Sequence, residues 1–424
     1  MKLLKNIKII EDDRLVEKEI LFDQKGILAI EEEIDAPEAE VIDGQKFTVL
    51  PGLIDVHVHL REPGNEYKET IDTGTKAAAA GGFTTIMAMP NVIPYPDCVE
   101  TMETYQALIN QHAHVHVVPY ATITRQEAGK EVVDMKAFTE MGIHAFSDDG
   151  VGVQNDDVMR EAMRQSNKYH TMIVAHTEDM SYRKEGACVH EGNEAHERHW
   201  IGIPSECEWK QLERDLKLVE ETGAHYHCCH VSAKESVQLL LEYRKKGCDV
   251  SGEVTAHHLL LNDGDVVGPN WKMNPPLRSE NDRQALIEGL KKGALTLIAN
   301  DHAPHSEEEK RRAMDKAPFG IVSLETAFPL LYSRLVCTGH FTLSQLVYWM
   351  SEAPAKRFGL ERKGAVQVGY ASDLILVDLD EKYIINRHRF FSKGKNTPFH
   401  GWCVQGRIKM TIVDGTIVYE EGKE

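Results

Sequence analysis

The sequence predicts an α/β protein: a closed (β/α)8 barrel of the TIM type with a small β domain built from both ends of the chain. Between residue 53 and about residue 360, short strand-like runs alternate with helix-length segments, the pattern of parallel βαβ units. The two ends instead alternate short apolar runs with turn signals. We therefore predict a barrel over 52–362 and a small domain made of 1–51 and 363–424.

Eight strand-like runs, spread over roughly 250 residues, match the repeat number of a closed barrel. They are LIDVHVH (53–59), TTIMAMP (84–90), HVHVVPY (114–120), HAFSDD (144–149), MIVAH (172–176), HYHCCH (225–230), DVSGEV (249–254) and LIAND (297–301).

The strands of the small domain are predicted at both ends of the chain. The N-terminal runs are IKIIEDD, ILFDQKG, ILAIEEE and FTVLPG, and the C-terminal runs are ASDLILVDL and MTIVDGTIVY. Asp414-Gly415 divides the last run, as in a tight hairpin turn.

Composition and net charge indicate which classes of molecule the protein is expected not to bind. The 424 residues are 42% hydrophobic and 27% charged, and the formal net charge is −19. Such a charge repels nucleic acid and anionic lipid, so we expect neither as a partner. No apolar stretch approaches the roughly 20 residues of a membrane span, and the basic start MKLLKNIKII is broken at once by EDDR. We expect a cytoplasmic protein, in which an anionic substrate would need a local cationic site.

Polar residues follow nearly every predicted barrel strand, where barrel enzymes place their active sites. His57 and His59 are two residues apart on one strand, so both side chains face the same way and can bind one metal ion. An isolated HxH pair is more often structural, but here further candidates end later strands. The candidate ligands are His57, His59, Asp149, His176, His230 and Asp301.

Imidazole and carboxylate ligands without thiolate are typical of an open, catalytic zinc site. The number of candidates suggests two ions, which would need a bridging carboxylate. Asp148 and Asp149 both end the fourth run. Alternation lets only one of them point into the barrel, and the spacing alone does not choose between them.

Several longer motifs carry a family resemblance over nearly the entire chain. They are PGLIDVHVHLREPG, GGFTTIMAMPN, FSDDGVGVQ, AHTED, CHVSAKESV, GEVTAHH, KMNPPLR, ANDHAPH, APFG and KGKNTPFHGW. In these motifs the sequence resembles the class I, bacterial type of dihydroorotase in the amidohydrolase superfamily. The resemblance implies reversible, zinc-dependent cyclisation of N-carbamoyl-L-aspartate to L-dihydroorotate in pyrimidine (UMP) biosynthesis.

The resemblance also implies a ligand set. His57, His59, Asp149 and Asp301 would hold one zinc ion, and Asp149, His176 and His230 the other. Asp149 and a water or hydroxide would bridge two ions per subunit, in place of the carboxylated lysine of many relatives. Asp301 would be the catalytic base.

Substrate contacts follow from charge and from the same motifs. Arg61 lies two residues after His59, and a planar guanidinium suits bidentate binding of a carboxylate. The resemblance implies that His59, Arg61, Asn91, Asn274 and His305 bind the substrate, and that backbone groups of Phe319 and Gly320 bind the ring amides.

Two rival functions are compatible with the same motifs. One rival is another cyclic amidohydrolase, of allantoinase or hydantoinase type, and a second is an inactive scaffold for aspartate transcarbamoylase. We expect a homodimer, with association with aspartate transcarbamoylase as a possible partnership. Two local questions are open: whether Asp55 orients His57 or serves packing, and whether 302–320 is a lid or a rigid rim.

Overall fold

The computed structural model describes residues 1–423. Its strands are β1 (Lys2–Glu11), β2 (Arg14–Asp23), β3 (Gly26–Glu31), β4 (Glu40–Asp43), β5 (Thr48–Pro51), β6 (Leu53–Val58), β7 (Phe83–Ala88), β8 (His116–Pro119), β9 (Ala145–Phe146), β10 (Met172–Ala175), β11 (Val189–His190), β12 (Gly202–Ile203), β13 (His225–Cys228), β14 (Val250–Thr255), β15 (Leu297–Ala299), β16 (Leu374–Ile384), β17 (Cys403–Val413) and β18 (Thr416–Glu420).

The α-helices are α1 (Ile71–Ala80), α2 (Val99–His112), α3 (Met135–Glu140), α4 (Asp156–Tyr169), α5 (Asn193–Glu197), α6 (Glu206–Thr222), α7 (Lys234–Lys245), α8 (Ala256–Leu260), α9 (Glu280–Lys291), α10 (Glu307–Lys310), α11 (Ala327–Leu331), α12 (Leu343–Val347) and α13 (Ala353–Arg357). The last three are joined or continued by π-helical turns at Tyr332–Val336 and Tyr348–Glu352. Short 3-10 turns occupy Arg125–Glu127, Met180–Tyr182, Asp263–Asp265, Pro269–Trp271 and Arg387–Arg389.

All eight predicted barrel runs form parallel strands. They hydrogen-bond in the orders β6-β7-β8 and β9-β10-β13-β14-β15. Parallel bridges between Ala121 and Phe146 and between Val58 and His302 join the two sets at both seams. The strands therefore close into a barrel, as predicted, and no strand edge is left open between β15 and β6.

Most of these strands end before the polar residues that follow them. β9 covers only Ala145–Phe146, and β15 stops at Ala299. The residues expected to carry chemistry thus sit mainly on the first positions after the strands, at the mouth of the barrel.

Helix α4 illustrates how the outer layer forms. The Asn155 side chain accepts hydrogen bonds from the N–H groups of the first turn, which would otherwise lack partners. Met159, Ala162, Met163 and Ser166 are buried at helical spacing and face the barrel. The helix ends where His170 takes the left-handed conformation (φ 52°).

The small β domain is one sheet with strands from both ends of the chain. Its order is β18-β17-β16-β5-β1-β2-β3, and β4 pairs with β1. Asp414 and Gly415 both have positive φ at the β17–β18 turn, as the hairpin prediction requires. Strand β16 lies between β17 and β5, so the C-terminal part completes a sheet begun by the N-terminal part.

The sheet shares a hydrophobic core with the barrel. Ile375, Val377 and Ile408 of the sheet belong to the same buried cluster as Ala78 of α1 and Phe83 of β7. A second cluster, which includes Met87, Val174 and Leu297, fills alternate positions of the barrel strands. Over residues 1–423, no helix has the length and apolarity to cross a membrane.

Candidate active site

The barrel brings all six candidate ligands together at its mouth, although they are spread over 245 positions of the sequence from His57 to Asp301. All six are buried. The His57 and His230 rings are 5.0 Å apart between centroids, and the His176 and His230 rings 4.8 Å. Asp301 Oδ1 lies 3.0 Å from His59 Nε2 and 3.5 Å from His57 Nε2.

Asp149 lies at the centre of this group. Its Oδ1 is 3.4 Å from His57 Nε2, 3.7 Å from His176 Nδ1 and 3.8 Å from His230 Nε2. Its Oδ2 is 3.4 Å from His59 Nε2. One carboxylate thus faces imidazoles from both halves of the predicted ligand set, which is the arrangement a bridging ligand needs.

Asp148, the alternative, points elsewhere. Its Oδ1 accepts hydrogen bonds from the N–H groups of Ile123 (2.7 Å) and Thr124 (3.0 Å), and its Oδ2 binds the Thr124 hydroxyl. Asp148 therefore ties the loop after β8 to the end of β9 and does not lie among the imidazoles.

Two histidines have carboxylate partners that sequence reasoning did not assign. Glu253 Oε1 is 2.6 Å from His57 Nδ1, and Glu178 Oε2 is 3.3 Å from His176 Nε2. Asp55, the partner considered from sequence, instead accepts the backbone N–H of His57 (3.0 Å). The sequence did contain a signal for each of them. Glu253 is a glutamate within a predicted buried strand, and Glu178 lies two residues after the candidate ligand His176.

Glu178 also connects the site to a predicted substrate contact. Asn274 Nδ2 donates to Glu178 Oε2 (2.8 Å), and Arg183 forms an ion pair with the other oxygen. Burial alone would raise the pKa of Glu178, but His176 and Arg183 lower it to about 2. The carboxylate is therefore ionised and fixed on three sides.

Arg61 is placed as an anion-binding group would be. Its Nε donates to the Pro304 carbonyl (3.3 Å), and over residues 1–423 neither Nη atom has a protein hydrogen-bond partner. Burial lowers its pKa from the usual range, while the charges of Asp301 and Asp149 oppose that shift. A guanidinium with two free nitrogens beside the candidate metal ligands suits a substrate carboxylate.

Asn91, a predicted substrate-binding residue, also contacts a candidate metal ligand. Its Oδ1 is 2.9 Å from His59 Nδ1. If the amide oxygen accepts that N–H, His59 presents Nε2 toward Asp149 and Asp301. The Asn91 amide group then keeps its N–H donors for a ligand.

His305, a predicted substrate contact in the 302–320 segment, has a protein partner at each ring nitrogen. His305 Nε2 is 2.6 Å from the Phe319 carbonyl oxygen, and Nδ1 is 3.4 Å from Lys68 Nζ. Burial and the nearby cations Arg61 and Lys68 hold the pKa of His305 well below its usual range, so the ring is neutral. A substrate contact by His305 must replace one of these bonds.

Gly320, one of the two residues whose backbone groups are predicted to bind the ring amides, has protein partners at both of its backbone groups. The Gly320 N–H donates to Lys272 O (2.9 Å), and the Gly320 carbonyl accepts from Lys310 Nζ (2.9 Å) and Asn396 Nδ2 (3.0 Å). Gly320 has φ 127°, and a Cβ there would lie 2.6 Å from the Ala303 side chain, so only glycine fits this close approach.

Backbone strain is concentrated at the same site. Arg61 (φ 63°), His230 (φ 31°) and Asp301 (φ 47°) all adopt left-handed conformations, which are costly for residues other than glycine. Each directly follows or lies close to a barrel strand end, where the turn of the chain directs the side chain into the mouth.

The donor set fits divalent metal ions. His57 Nε2 and Asp149 Oδ1 are buried without a hydrogen-bond partner, which is costly unless something else satisfies them. Their ligand atoms and those of His59, His230 and Asp301 group within 4.8 Å in overlapping sets of three. Buried carboxylate and imidazole lone pairs that face one another are costly, and a bound cation would offset that cost.

Comparisons with known proteins show which proteins the chain resembles in sequence and in fold. Residues 46–236 match the family model described as "Dihydro-orotase-like". A protein named dihydroorotase from Macrococcus caseolyticus is 49% identical over 99% of both chains, and one from Bacillus cereus is 49% identical over 97% of this chain and 96% of its own. The solved L-hydantoinase from Arthrobacter aurescens superposes with a TM-score of 0.88 at 27% identity, covering 99% of this chain and 96% of that one.

Proposed function

Because the chain belongs to the dihydroorotase-like family, we propose that it is a dihydroorotase, interconverting N-carbamoyl-L-aspartate and L-dihydroorotate plus water in pyrimidine biosynthesis. One observation carries the proposal beyond the family name: an arginine with unpaired Nη groups, Arg61, stands beside a buried cluster of imidazoles and carboxylates. That combination matches a cyclic amide that carries a carboxylate.

We propose that the cluster holds two zinc ions. His57, His59 and Asp301 would bind one, His176 and His230 the other, and Asp149 would reach both, as its distances to the imidazoles support. Zinc bound there supplies Lewis-acid chemistry: it acidifies water and polarises an amide carbonyl.

The chain's own groups handle protons and orientation. Burial alone would raise the pKa of Asp301, but His57 and His59 lower it to about 2, so the carboxylate is ionised. We propose that it accepts the proton of the attacking water. Asp301 then passes the proton to the leaving ring nitrogen, and ring closure reverses the transfer. Arg61 and the Asn91 amide would hold the substrate carboxylate, Asn274 and His305 would contribute further polar contacts, and backbone groups of Phe319 and Gly320 would bind the ring amides.

The main rival is a hydantoinase-type activity, because a solved protein of the same fold is an L-hydantoinase. A neutral ring would leave the Arg61 guanidinium without a partner, so Arg61 favours an anionic substrate. An inactive scaffold is disfavoured by the retention of Asp301 within reach of His57 and His59. We further propose a cytoplasmic homodimer, for which aspartate transcarbamoylase is a candidate partner.

The test is an activity assay with a metal count on the same sample. We expect hydrolysis of L-dihydroorotate, loss of activity on chelation and recovery with zinc. Hydantoin and allantoin serve as comparison substrates and should be turned over far more slowly. Full activity in metal-free protein would contradict the zinc mechanism, and a preference for hydantoin would contradict the substrate.

A further inference from the structure

Strand β14 supplies none of the six proposed metal ligands, yet it carries a buried carboxylate that reaches two of them. Glu253 is fully buried. Its Oε1 accepts from the His57 ring at Nδ1 (2.6 Å) and from the backbone N–H of His230 (3.0 Å). These two histidines belong to different metals in the proposed set, so a single oxygen atom touches both halves of the site.

The contact with His57 determines which nitrogen faces the metal. When Nδ1–H donates to Glu253, the ring's other nitrogen, Nε2, carries the lone pair. That nitrogen lies 3.4 Å from Asp149 Oδ1 and 3.5 Å from Asp301 Oδ1, and it has no hydrogen-bond partner in the described chain. A carboxylate acceptor also increases the electron density that the imidazole offers to a cation.

The contact with His230 acts on the backbone. His230 has φ 31°, a strained conformation that needs support from its surroundings. Its N–H bond to Glu253 provides such support directly at the strained residue. The ring is then held with Nε2 3.0 Å from His176 Nδ1 and 3.8 Å from Asp149 Oδ1.

The second oxygen of Glu253 is held from the opposite side. His227 Nε2 lies 3.0 Å from Glu253 Oε2, and His227 Nδ1 lies 2.7 Å from the Ser251 hydroxyl. With the serine donating to Nδ1, His227 donates Nε2–H to the carboxylate. Both oxygens of Glu253 therefore have donors, two at Oε1 and one at Oε2.

We propose that Glu253 is a positioning residue for both metal sites. It fixes the position of the His57 ring and of the His230 backbone, although its own strand contributes no ligand. The identification of the two histidines as zinc ligands rests on the proposed function. The positioning itself rests on the three hydrogen bonds of one buried carboxylate.

The experiment measures zinc affinity in purified full-length protein, using metal-free samples and a competing chromophoric chelator. Glu253→Gln keeps the size but removes the charge, and it should weaken zinc binding by about 10- to 100-fold, the usual effect of losing a partner of a ligating histidine. Asp215→Asn is the matched control: Asp215 is also fully buried and accepts a hydrogen bond from Tyr226 (2.8 Å), but it touches no proposed ligand.

Two further readouts separate positioning from general destabilisation. The visible absorption bands of the cobalt-substituted protein should change in Glu253→Gln and remain unchanged in Asp215→Asn. At saturating zinc, kcat should fall in Glu253→Gln while KM for dihydroorotate stays close to the unmodified value. If Glu253→Gln fails to fold, Glu253→Asp takes its place, because the shorter side chain keeps the charge but cannot span both histidines, and at least about tenfold weaker binding is expected.

The outcomes are distinct. Unchanged zinc affinity and an unchanged cobalt spectrum in the Glu253 variant would overturn the positioning role, whatever the enzyme's substrate. Unmodified protein that binds zinc but does not hydrolyse dihydroorotate would overturn the proposed function, while weaker binding in the variant would still support the positioning role. Unmodified protein that binds neither zinc nor cobalt would overturn both.

Discussion

At the scale of single residues, the mouth of the barrel is organised by carboxylates that have different tasks. Asp149 lies between the imidazoles, Glu253 and Glu178 hold imidazoles from behind, and Asp301 lies at the edge next to His59. A buried carboxylate is costly unless it is paired and hydrogen-bonded, and each of these has imidazole partners. Replacing one of these carboxylates by its amide removes the charge at nearly constant size, so each such variant tests the charge.

Asp301→Asn should lower turnover of dihydroorotate by at least about a hundredfold, because the amide cannot accept the proton of the attacking water. The measurement is kcat together with zinc content, so that loss of metal is distinguished from loss of the base. Asp72→Asn, on the exposed side of α1, is the control and should behave as the unmodified enzyme. Near-normal turnover with full zinc content would show that another group moves the proton.

Arg61→Met should reduce kcat/KM for dihydroorotate by two orders of magnitude or more, since leaving one partner of a buried charge pair alone costs roughly 3 to 5 kcal/mol. An uncharged dihydropyrimidine should lose much less, because it has no carboxylate for the guanidinium. Both substrates are measured with the same two enzymes. Equal losses would mean that Arg61 supports the fold and does not select the substrate.

At the scale of elements, the connection between β16 and β17 reinforces the rim of the barrel mouth. Asn396 donates to the carbonyls of Ala303 and Gly320 and accepts from the His305 N–H. Within the 302–320 segment, the buried Lys310 donates to the carbonyls of Pro318 and Gly320. Bonds of this kind at both ends of the segment favour a fixed rim over a mobile lid.

Glu325 accepts hydrogen bonds from the same connection and makes the stability of the protein depend on pH. Burial raises the pKa of Glu325 to about 8, against the opposing effect of the Phe391 and Ser392 N–H donors. The folded protein then holds a proton that the unfolded chain, with its ordinary value of 4.5, releases. This contribution to stability is fully present below the unfolded value and is lost as pH rises through about 8.

Glu325→Gln should remove that dependence. Between the two pKa values, the free energy of unfolding of the unmodified protein should fall relative to the variant by up to about 1.4 kcal/mol per pH unit. Urea denaturation of both proteins at about pH 5, 6.5 and 8 measures the difference. Parallel curves for the two proteins would show that Glu325 is ionised in the folded state across the range.

At the scale of the whole molecule, the small sheet and the barrel share one hydrophobic core. β16 pairs with β5 on one side and β17 on the other, and Ile375, Val377 and Ile408 are buried in the core that also contains barrel residues. The Thr411 hydroxyl donates to the Ala79 carbonyl of α1 (2.7 Å). The boundaries that we predicted at 51/52 and 362/363 therefore separate segments of sequence that share a hydrophobic interior.

A chain that ends at residue 362 should consequently fail to unfold cooperatively, because it leaves β5 and a large apolar surface of the barrel helices uncovered. Near-UV circular dichroism and thermal melting of the truncated and complete chains provide the comparison. Removal of 422–424, which lie beyond β18, is the control and should leave the melting temperature unchanged. A cooperative transition in the 1–362 chain would mean that the barrel is an independent folding unit.

The local pattern of the sequence was enough for the eight barrel strands, for the strands of the small sheet except β4, and for the polar residues that follow nearly every barrel strand. These features depend on alternation, turn residues and strand length, which are properties of neighbouring positions. His57, His59 and Asp301 could be singled out as candidate ligands for that reason, before any contact between them was known.

Tertiary structure shows which groups meet. It places Asp149 and not Asp148 among the imidazoles, a choice that the family resemblance implied and that the local pattern could not make. It also gives His57 its partner Glu253 from 196 positions away and occupies the Gly320 N–H with a bond to Lys272. Alternation cannot choose between adjacent aspartates once a strand has only two paired residues, as β9 has. The partner of a buried polar group is set by the closure of the barrel and by the need to satisfy each donor and acceptor away from water, and both act between residues that are distant in sequence.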